Sequence, residues 1–350
     1  MLLEFFIVFF MSILIDLLLG ELPSFIHPVA LMGRCIIIFK KKVLSSSPIK
    51  NRISGIFLPV VLIFIFGFSF IFLLMLSNFN HILFLIVSSI LLSTTFAIKS
   101  LLKSVYDVYN KMKLDLDQGR LKLSFLVSRN TENLSLEDLV SAAIETLTEN
   151  ITDSVISPLT YIFIFGLLAI VFSSITIFNA LYTNLLFNIS FNKFFMQNYF
   201  PIVIAILAGV SYRVINTLDA MVGYKDEENI DIGWFSARVD DFLNYFPARF
   251  TGVLIVISSF LLRYNYRNSW KVMINDANNT PSPNSGYPMA AAAGALNVQL
   301  EKPGTYTLGE KYDDLTLEKI IEALKLTITT IAIYLIIILS IMVFIYLYFT

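Results

Sequence analysis

The sequence predicts an all-α, polytopic integral membrane protein, and two observations support this. First, 57% of its 350 residues are hydrophobic, and 32 residues are Phe, whereas a soluble domain is usually about 45–50% apolar. Second, apolar runs recur along the chain at lengths near the ~20 residues that a membrane-crossing helix requires. No internal repeat is visible, so residues 1–350 are predicted to form one integral membrane domain.

About six helices are predicted to cross the membrane, judged by the length of their apolar runs. The runs are residues 2–19, 55–77, 82–98, 155–178, 200–215 and 325–349. Residues 250–263 follow Pro247, which is expected to break a helix, and they are too few to cross unaided. They are predicted to form a buried or half-inserted helix. Residues 99–153, which begin with an amphipathic pattern, and residues 216–324 are predicted to be mainly helices and loops on the cytoplasmic face.

The segment from Arg34 to Arg52 sets the predicted orientation. It collects basic residues and no acidic ones, and loops rich in Lys and Arg lie on the cytoplasmic side of a membrane. Counting the crossings from this segment places every polar cluster on that same face. We therefore expect a multi-pass protein of the cell membrane, in contact with lipid, with a polar site on the cytoplasmic face.

Composition narrows the chemistry that this chain can perform. The net charge is −1 and no basic stripe with interleaved aromatic residues occurs, so we expect no nucleic-acid partner. Cys35 is the only cysteine, which excludes a disulfide framework within the chain, and two histidines are too few for a zinc site. Neither a P-loop nor a dinucleotide-binding fingerprint occurs. The chemistry must use carboxylates, amides, hydroxyls, cationic side chains and backbone groups.

The most polar long stretch of the chain, Tyr212–Arg249, directly follows an apolar run. Tyr212, Asn216, Asp219 and Gly223 share one face at helical spacing, about 100° per residue. Polar residues beside a membrane segment are expensive to keep there, which favours a functional interpretation. The alternative is charge pairing that stabilises a cytoplasmic cap.

A helix that begins at Ser135 carries three carboxylates in a line. Asp138 stands three residues after Ser135, which predicts a capping box. Glu145, Glu149 and Asp153 are each four residues apart, so their side chains are expected to line up. They could hold Mg²⁺, which takes hard oxygen ligands together with substrate phosphates. The alternative is the solvated face of a surface helix.

The loop Ser282–Pro288 precedes an alanine-rich helix. Pro288 suits a first helical turn, so free backbone N–H groups and the helix dipole should face the loop and favour an anion. Ser282 and Ser285 can donate hydrogen bonds, and Gly286 lets the backbone approach a phosphate closely. An ordinary N-capping turn is the alternative.

A turn bracketed by Pro23 and Pro28 holds one of the two histidines. His27 can donate a hydrogen bond to a substrate or accept one from it. A packed, hydrogen-bonded histidine is the alternative, and both interpretations remain open.

Five groups of residues can be considered together. They are Asp16, Gly20, Pro23, His27-Pro28-Val29 and Gly33; Glu145-Thr146, Glu149-Asn150, Asp153 and Pro158-Leu159; Ile215–Lys225; Ala237-Arg238, Asp240-Asp241, Asn244-Tyr245 and Pro247-Ala248-Arg249; and Ser282–Pro288 with Ala293-Gly294-Ala295-Leu296. In this order they closely resemble the adenosylcobinamide-phosphate synthase family, the membrane-bound enzymes of cobalamin biosynthesis. The resemblance extends from about residue 14 to residue 310. One departure is Ser154, where the family motif has glycine.

The resemblance implies a specific reaction and its participants. The family joins (R)-1-aminopropan-2-ol or its O-phosphate, in amide linkage, to the free propionate carboxyl of adenosylcobyric acid. The product is adenosylcobinamide or its phosphate. ATP and Mg²⁺ are the implied cofactors, and the corrinoid is a substrate. Other enzymes of the cobalamin pathway are implied as partners in a complex.

The resemblance also suggests roles for individual residues. Asp219, Asn216 and His27 are the catalytic candidates, with Asp219 the first choice for removing a proton from the attacking amine. The Mg²⁺ candidates are Glu149, Asp153 and Asp241. The phosphate-binding candidates are Arg238, Arg249, Lys225, Ser282, Asn284, Ser285 and Gly286. Asn216 and Asp219 are expected to lie close to Asp153 and to the Ser282–Pro288 loop.

A non-catalytic membrane scaffold or a corrinoid transporter is the alternative function. A transporter places its polar residues near the bilayer midplane within broken helices, often in inverted repeats. Here the polar clusters are predicted to share one face and no repeat is seen, which favours the enzyme.

Overall fold

The computed structural model describes residues 1–174, 193–224 and 226–349, and within them the chain is almost entirely helical. The α-helices are α1 Leu2–Leu18, α2 Pro28–Val43, α3 Pro48–Ser77, α4 His81–Ser93, α5 Lys99–Leu114, α6 Leu116–Ser124, α7 Leu136–Ile151, α8 Ser157–Ser174, α9 Lys193–Val222, α10 Trp234–Leu261, α11 Tyr266–Asp276, α12 Gly286–Leu296 and α13 Leu317–Phe349. Strands β1 Leu300–Lys302 and β2 Tyr306–Leu308 form an antiparallel hairpin. The predicted all-α class is confirmed.

Among the residues that the structure describes, five helices are long and apolar enough to cross a membrane, which confirms the polytopic prediction. They are Pro48–Ser77, Leu136–Ser173, Tyr199–Val222, Trp234–Leu261 and Leu317–Tyr348. Two predicted spans form shorter helices, because α1 has 17 residues and α4 has 13. The end of the predicted span 155–178 lies outside the described residues.

Pro247 lies inside α10 and does not end it, so the predicted break is wrong. The helix continues for 28 residues, and the predicted short helix 250–263 is its second half. A proline in a membrane helix is tolerated when neighbouring groups satisfy the backbone carbonyl that it leaves without a donor. The length of the unbroken helix makes α10 a candidate span in its own right.

The predicted span 82–98 ends early, at Ser93. Just after it, the hydroxyls of Thr94 and Thr95 each donate to a backbone carbonyl three residues earlier, at 2.7 Å. Such bonds compete with continuation of a helix. Residues 94–97 are buried, as non-helical backbone in a membrane protein must be.

Helices α7 and α8 run on from one another through a π-helical turn, Thr152–Ile156. The predicted capping box at the start of α7 is confirmed, since Asp138 N donates to Ser135 Oγ at 3.2 Å and Ser135 N donates to Asp138 Oδ2 at 3.1 Å. A π-helical turn inserts one residue into the helical repeat and is frequent at functional sites. Here the turn contains Asp153.

The chain divides into two compact units. The first contains Met1–Ala97, Pro158–Asp240 and Ile345–Thr350, and the second contains Ile98–Ser157 and Asp241–Phe344. The prediction of a single domain stays a prediction.

Aromatic side chains form much of the core of the first unit. Phe5, Phe9 and Phe84 are fully buried, and the ring centroids of Phe84 and Tyr199 are 3.9 Å apart. Small and aliphatic side chains form a core cluster of the second unit, including Ala291, Ala292 and Leu326. Within a bilayer such cores are stabilised by close van der Waals packing more than by removal from water.

Candidate functional site

The predicted polar face of the first unit lies on the last turns of α9. Asn216 and Asp219 are both partly exposed there, whereas Tyr212 is buried. Asn216 Oδ1 accepts a hydrogen bond from Arg213 Nη1 at 3.3 Å. The Asp219 carboxylate lies against Gly223, because a Cβ placed on that glycine would be 2.2 Å from Asp219 Oδ1. In the last turn of α9, the Asp219 carboxylate therefore lies beside Gly223, which has no side chain.

His27, also in the first unit, is affected by the charges of Arg213 and Glu21. It is the N-cap of α2, where its Nδ1 accepts from Val29 N at 3.2 Å. Its pKa is lowered from the ordinary value of 6.5, mainly by burial and further by the nearby positive charge of Arg213, while Glu21 opposes the shift. A neutral ring with Nδ1 as acceptor carries its proton on Nε2. The Nδ1 atom of His27 is thus hydrogen-bonded within the protein, and contact of His27 with a substrate stays a prediction.

The lowered pKa of His27 predicts a loss of stability in mild acid. Between the lowered folded pKa and the ordinary value near 6.5, the unfolded chain binds more protons, so stability must fall as the pH decreases through that window. His27→Asn keeps an N-capping acceptor but does not titrate. We expect the thermal unfolding midpoint in detergent to drop less for His27→Asn than for the wild type between pH 7.5 and 5.5. An equal drop for both proteins would contradict the assignment.

Two phosphate-binding candidates of the first unit remain without structural support. Arg238 is exposed, and it forms no ion pair within the part of the chain that the structure describes. Lys225 lies outside the described residues. Both assignments stay predictions.

In the second unit, the Ser282–Pro288 loop is closed by its own hydrogen bonds. Ser282 Oγ accepts from Asn284 N at 3.2 Å and from Ser285 N at 3.4 Å, and Ser285 Oγ donates to Thr280 Oγ1 at 3.4 Å. The loop therefore turns into α12 as predicted, but some of the N–H groups expected to face an anion already have acceptors. Capping-turn and anion-site interpretations both remain open.

Gly286 is explained by packing of the protein on itself. A Cβ at this position would lie 1.9 Å from the carbonyl oxygen of Ala277. Because Gly286 has no side chain, the backbone of Ala277, in the same unit, can pack directly against it. Close approach of a phosphate to Gly286 stays a prediction.

Asn284 connects this loop to α10. It is buried, its Nδ2 donates to the backbone oxygen of Asp241 at 2.8 Å, and its Oδ1 accepts from Arg249 Nη1 at 3.3 Å. Asn284 therefore holds two other candidates, Asp241 and Arg249, against the loop. Its predicted role in phosphate binding stays a prediction, and its observed role is to organise the cluster.

The Arg249 guanidinium lies over two aromatic rings. Its guanidinium carbon is 3.4 Å from the centroid of the Tyr245 ring and 4.3 Å from that of Tyr287. A cation over an aromatic face is attracted by the ring quadrupole. The helix α10 supplies Tyr245 and Arg249 four residues apart on one face, and the end of the loop supplies Tyr287.

Ser157 Oγ donates a hydrogen bond to Asn244 Oδ1 at 2.6 Å. Asp153 precedes Ser157, and Asp241 precedes Asn244, by about one helical turn. In the π-helical turn beside Asp153, the buried Thr152 hydroxyl has no hydrogen-bond partner among the described residues. The atoms here that could bind a metal ion are oxygens of hydroxyl, amide and carboxylate groups. Among the described residues, no three His, Cys, Asp or Glu side chains form a group that could hold a metal ion.

Oxygen ligands of this kind are the ones that Mg²⁺ takes. Mg²⁺ is usually held by one or two carboxylates together with waters and substrate phosphates, and needs no cage made only of protein groups. The roles of Glu149, Asp153 and Asp241 as Mg²⁺ ligands stay predictions.

Glu145 is buried and paired, so the interpretation of a solvated face is wrong for this residue. Its side chain is 3% exposed and forms an ion pair with Arg129. It also accepts hydrogen bonds from Ser141 Oγ and Tyr306 OH, each at 2.6 Å. Burial and the Glu145 carboxylate raise the pKa of Tyr306, so the phenol stays a donor. The cluster fastens the β1–β2 hairpin to α7.

The predicted proximity of Asn216 and Asp219 to Asp153 and the loop stays a prediction. Asn216 and Asp219 belong to the first unit, and Asp153 and the loop belong to the second. Within the second unit, the structure brings Asp241 and Arg249 together through Asn284. In the first unit, Arg213 donates to Asn216 and its positive charge lowers the pKa of His27.

The sequence interpretation missed Arg213, Tyr245 and Tyr287 as participants. Arg213 stands three residues before Asn216, a spacing at which helical side chains can meet. Tyr245 stands four before Arg249, so the same rule could have found it. Tyr287 carried no local signal, because it reaches Arg249 from a distant part of the sequence.

These features define a helical, multi-pass membrane protein in which each unit carries a cluster of carboxylate, amide and arginine side chains. The chain matches the family model described as CobD/Cbib protein over residues 9–183 and 194–337, and it belongs to that family.

Curated relatives match along nearly their full length. A probable cobalamin biosynthesis protein CobD of Methanothermobacter thermautotrophicus is 44% identical over 330 residues, covering 93% of this chain and 94% of the relative. One of Methanococcus aeolicus is 35% identical, covering 89% of each chain. The cobalamin biosynthesis protein CobD of Dehalococcoides mccartyi is 34% identical, covering 88% of this chain and 87% of the relative. No solved structure matches. The family and these names support a role in cobalamin biosynthesis.

Proposed function

We propose that this protein is an ATP-dependent amide-forming ligase, an adenosylcobinamide-phosphate synthase. It joins (R)-1-aminopropan-2-ol or its O-phosphate to the free propionate carboxyl of adenosylcobyric acid. The observation that carries the proposal is the cluster in the second unit. There Asn284 ties the Ser282–Pro288 loop to Asp241 and Arg249, which supplies a cation and hard oxygens in a chain of a cobalamin biosynthesis family.

The proposed reaction divides into tasks that these side chains can perform. A propionate carboxylate oxygen attacks the terminal phosphorus of ATP, the P–O bond to ADP breaks, and an acyl phosphate forms. The amine nitrogen then forms the new bond to the propionate carbon, and that oxygen leaves as inorganic phosphate. The ammonium gives up one proton to a base before the nitrogen attacks, and Asp219 on α9 is our candidate for that base. Arg249 and the loop bind phosphate oxygens, because a planar guanidinium matches them with two hydrogen bonds.

Mg²⁺ has a place in this proposal through Asp153 and Asp241, with Glu149 as a further candidate ligand. When bound, it would neutralise charge on the phosphate groups. We further propose that the reaction takes place at the cytoplasmic face, since the basic segment Arg34–Arg52 favours that side.

The test is a reconstitution with one protein. The full chain, purified in detergent, is incubated with adenosylcobyric acid, aminopropanol phosphate, ATP and Mg²⁺, and the corrinoid products are separated and weighed by mass spectrometry. We expect adenosylcobinamide phosphate that depends on every component. Parallel reactions with free aminopropanol show which amino alcohol this chain uses.

A non-catalytic scaffold or corrinoid transporter is the competing function. A chain that binds corrinoid in detergent but forms no amide under any of these conditions would support it. Product formed by this chain without another protein excludes the scaffold.

A further inference from the structure

The Arg249 guanidinium carbon lies over the rings of both Tyr245 and Tyr287, at 3.4 and 4.3 Å from the ring centroids. Tyr245 is 55% exposed, so it is not a core residue whose place is dictated by filling space. Tyr287 is held more firmly, since its backbone packs against Gly252. One partly buried ring and one exposed ring thus contact the same cation.

The hydrogen bonds of Arg249 use only part of its fork. Nη1 donates to the backbone oxygen of Tyr245 at 2.5 Å and to Asn284 Oδ1 at 3.3 Å. Nη2 donates to the backbone oxygen of Pro283 at 3.5 Å, which is a weak contact. A guanidinium has five N–H donors. Nε–H has no acceptor among the described residues, and Nη2 has only the long contact with Pro283. In a guanidinium, Nε–H and one N–H of Nη2 lie side by side on one edge.

An edge with two parallel donors is the shape that a phosphate or carboxylate accepts in bidentate fashion. The backbone oxygen of Tyr245 and the side chain of Asn284 accept from Nη1, and the two tyrosine rings contact the guanidinium through its π system. A ligand oxyanion can therefore approach along the Nε–Nη2 edge, beside the Ser282–Pro288 loop.

We propose that Tyr245 and Tyr287 are positioning residues, which orient Arg249 so that its Nε–Nη2 edge receives two oxygens of a phosphate group. This rests on the proposed function, in which the phosphate comes from the amino alcohol phosphate or from ATP. The rings act through Arg249 and need no contact with the substrate. An arginine that is oriented in advance loses less side-chain entropy when the ligand binds.

The test compares leucine and phenylalanine at both positions. Phe keeps a ring face for the cation, whereas Leu fills similar space without one. Tyr266→Leu is the matched control, because Tyr266 faces Arg267 with the guanidinium 5.8 Å from its ring, elsewhere in the same unit. For each purified variant, kcat and the KM values for aminopropanol phosphate, free aminopropanol, ATP and adenosylcobyric acid are measured, together with the thermal unfolding midpoint.

For Tyr245→Leu and Tyr287→Leu we expect the KM of one phosphate-bearing substrate to rise about three- to tenfold, the usual range for a lost cation–π contact. The kcat and the KM for adenosylcobyric acid should stay within about twofold, and the Phe variants and Tyr266→Leu should match the wild type. Whether the KM of aminopropanol phosphate or of ATP changes identifies the source of the phosphate.

Three results would overturn the proposal. They are unchanged KM values in the Leu variants, equal defects in Phe and Leu variants, or defects shared by every substrate alongside a lowered unfolding midpoint. Equilibrium titration of each variant with aminopropanol phosphate and with ATP separates this proposal from the reaction itself. If the wild type forms no amide but binds one of these ligands, and the Leu variants bind it about three- to tenfold more weakly, the positioning role stands while the ligase proposal fails.

Discussion

Asp219→Asn is expected to lower the rate of amide formation by about 100- to 10,000-fold, the usual contribution of a general base. Asparagine keeps the size of the side chain but cannot accept a proton. The amine of the amino alcohol is protonated at neutral pH, as alkyl ammonium groups are, and must lose a proton before nitrogen can attack the propionate carbon. Asp219 stands in the last turn of α9, partly exposed and against Gly223, which has no side chain.

The measurement is the initial rate of corrinoid amide formation by full-length protein in detergent, across a range of pH. Raising the pH supplies free amine from solution, so the defect of Asp219→Asn should shrink as the pH increases. Asp107→Asn serves as the control, because Asp107 forms only a partly exposed ion pair with Lys122 at 3.8 Å, and its activity should stay within about twofold of wild type. Near-normal activity of Asp219→Asn at neutral pH would remove Asp219 from the role of base.

Features set by neighbours in sequence were predictable. The capping box needs only Ser135 and Asp138, three residues apart, and the structure contains it as predicted. The face shared by Asn216 and Asp219 follows from helical periodicity alone. Arg34–Arg52 is basic, but its cytoplasmic placement depends on the membrane and stays a prediction.

Features set by distant partners were not predictable. The spacing of Glu145, Glu149 and Asp153 fits a solvated stripe, yet Glu145 is buried because Arg129 and Tyr306 reach it from other segments. Pro247 is an ordinary helix breaker by propensity, yet α10 continues through it. A membrane helix can contain proline where neighbouring groups satisfy the backbone. The contact of Arg249 with two tyrosine rings depends likewise on Tyr287, and its distance from Arg249 in sequence gives no sign of that contact.

The buried pair of Arg129 and Glu145 leads to the largest stability prediction. Arg129→Met should lower the free energy of unfolding by about 3–5 kcal/mol, the usual penalty for leaving one partner of a buried ion pair uncompensated. The Arg129 side chain is 13% exposed and that of Glu145 3%, so little water can replace the lost cation. Arg129 Nη1 also donates to the backbone oxygen of Glu301 at 3.2 Å, and this bond to β1 would be lost as well.

The measurement is a denaturant titration of the purified chain in detergent, with two further variants that isolate the cause. Lys311→Met removes a cation from another ion pair, which Lys311 forms with Glu137 of α7. Both side chains of that pair are about half exposed. This variant should therefore lower the free energy of unfolding by no more than about 1 kcal/mol. The double variant Arg129→Met/Glu145→Gln removes both charges and keeps an acceptor for Ser141 and Tyr306. It should recover more than half of the loss, because the penalty comes mainly from the unpaired carboxylate. If the double variant is no more stable than Arg129→Met, lost packing is responsible and the ion pair is not what stabilises the hairpin against α7.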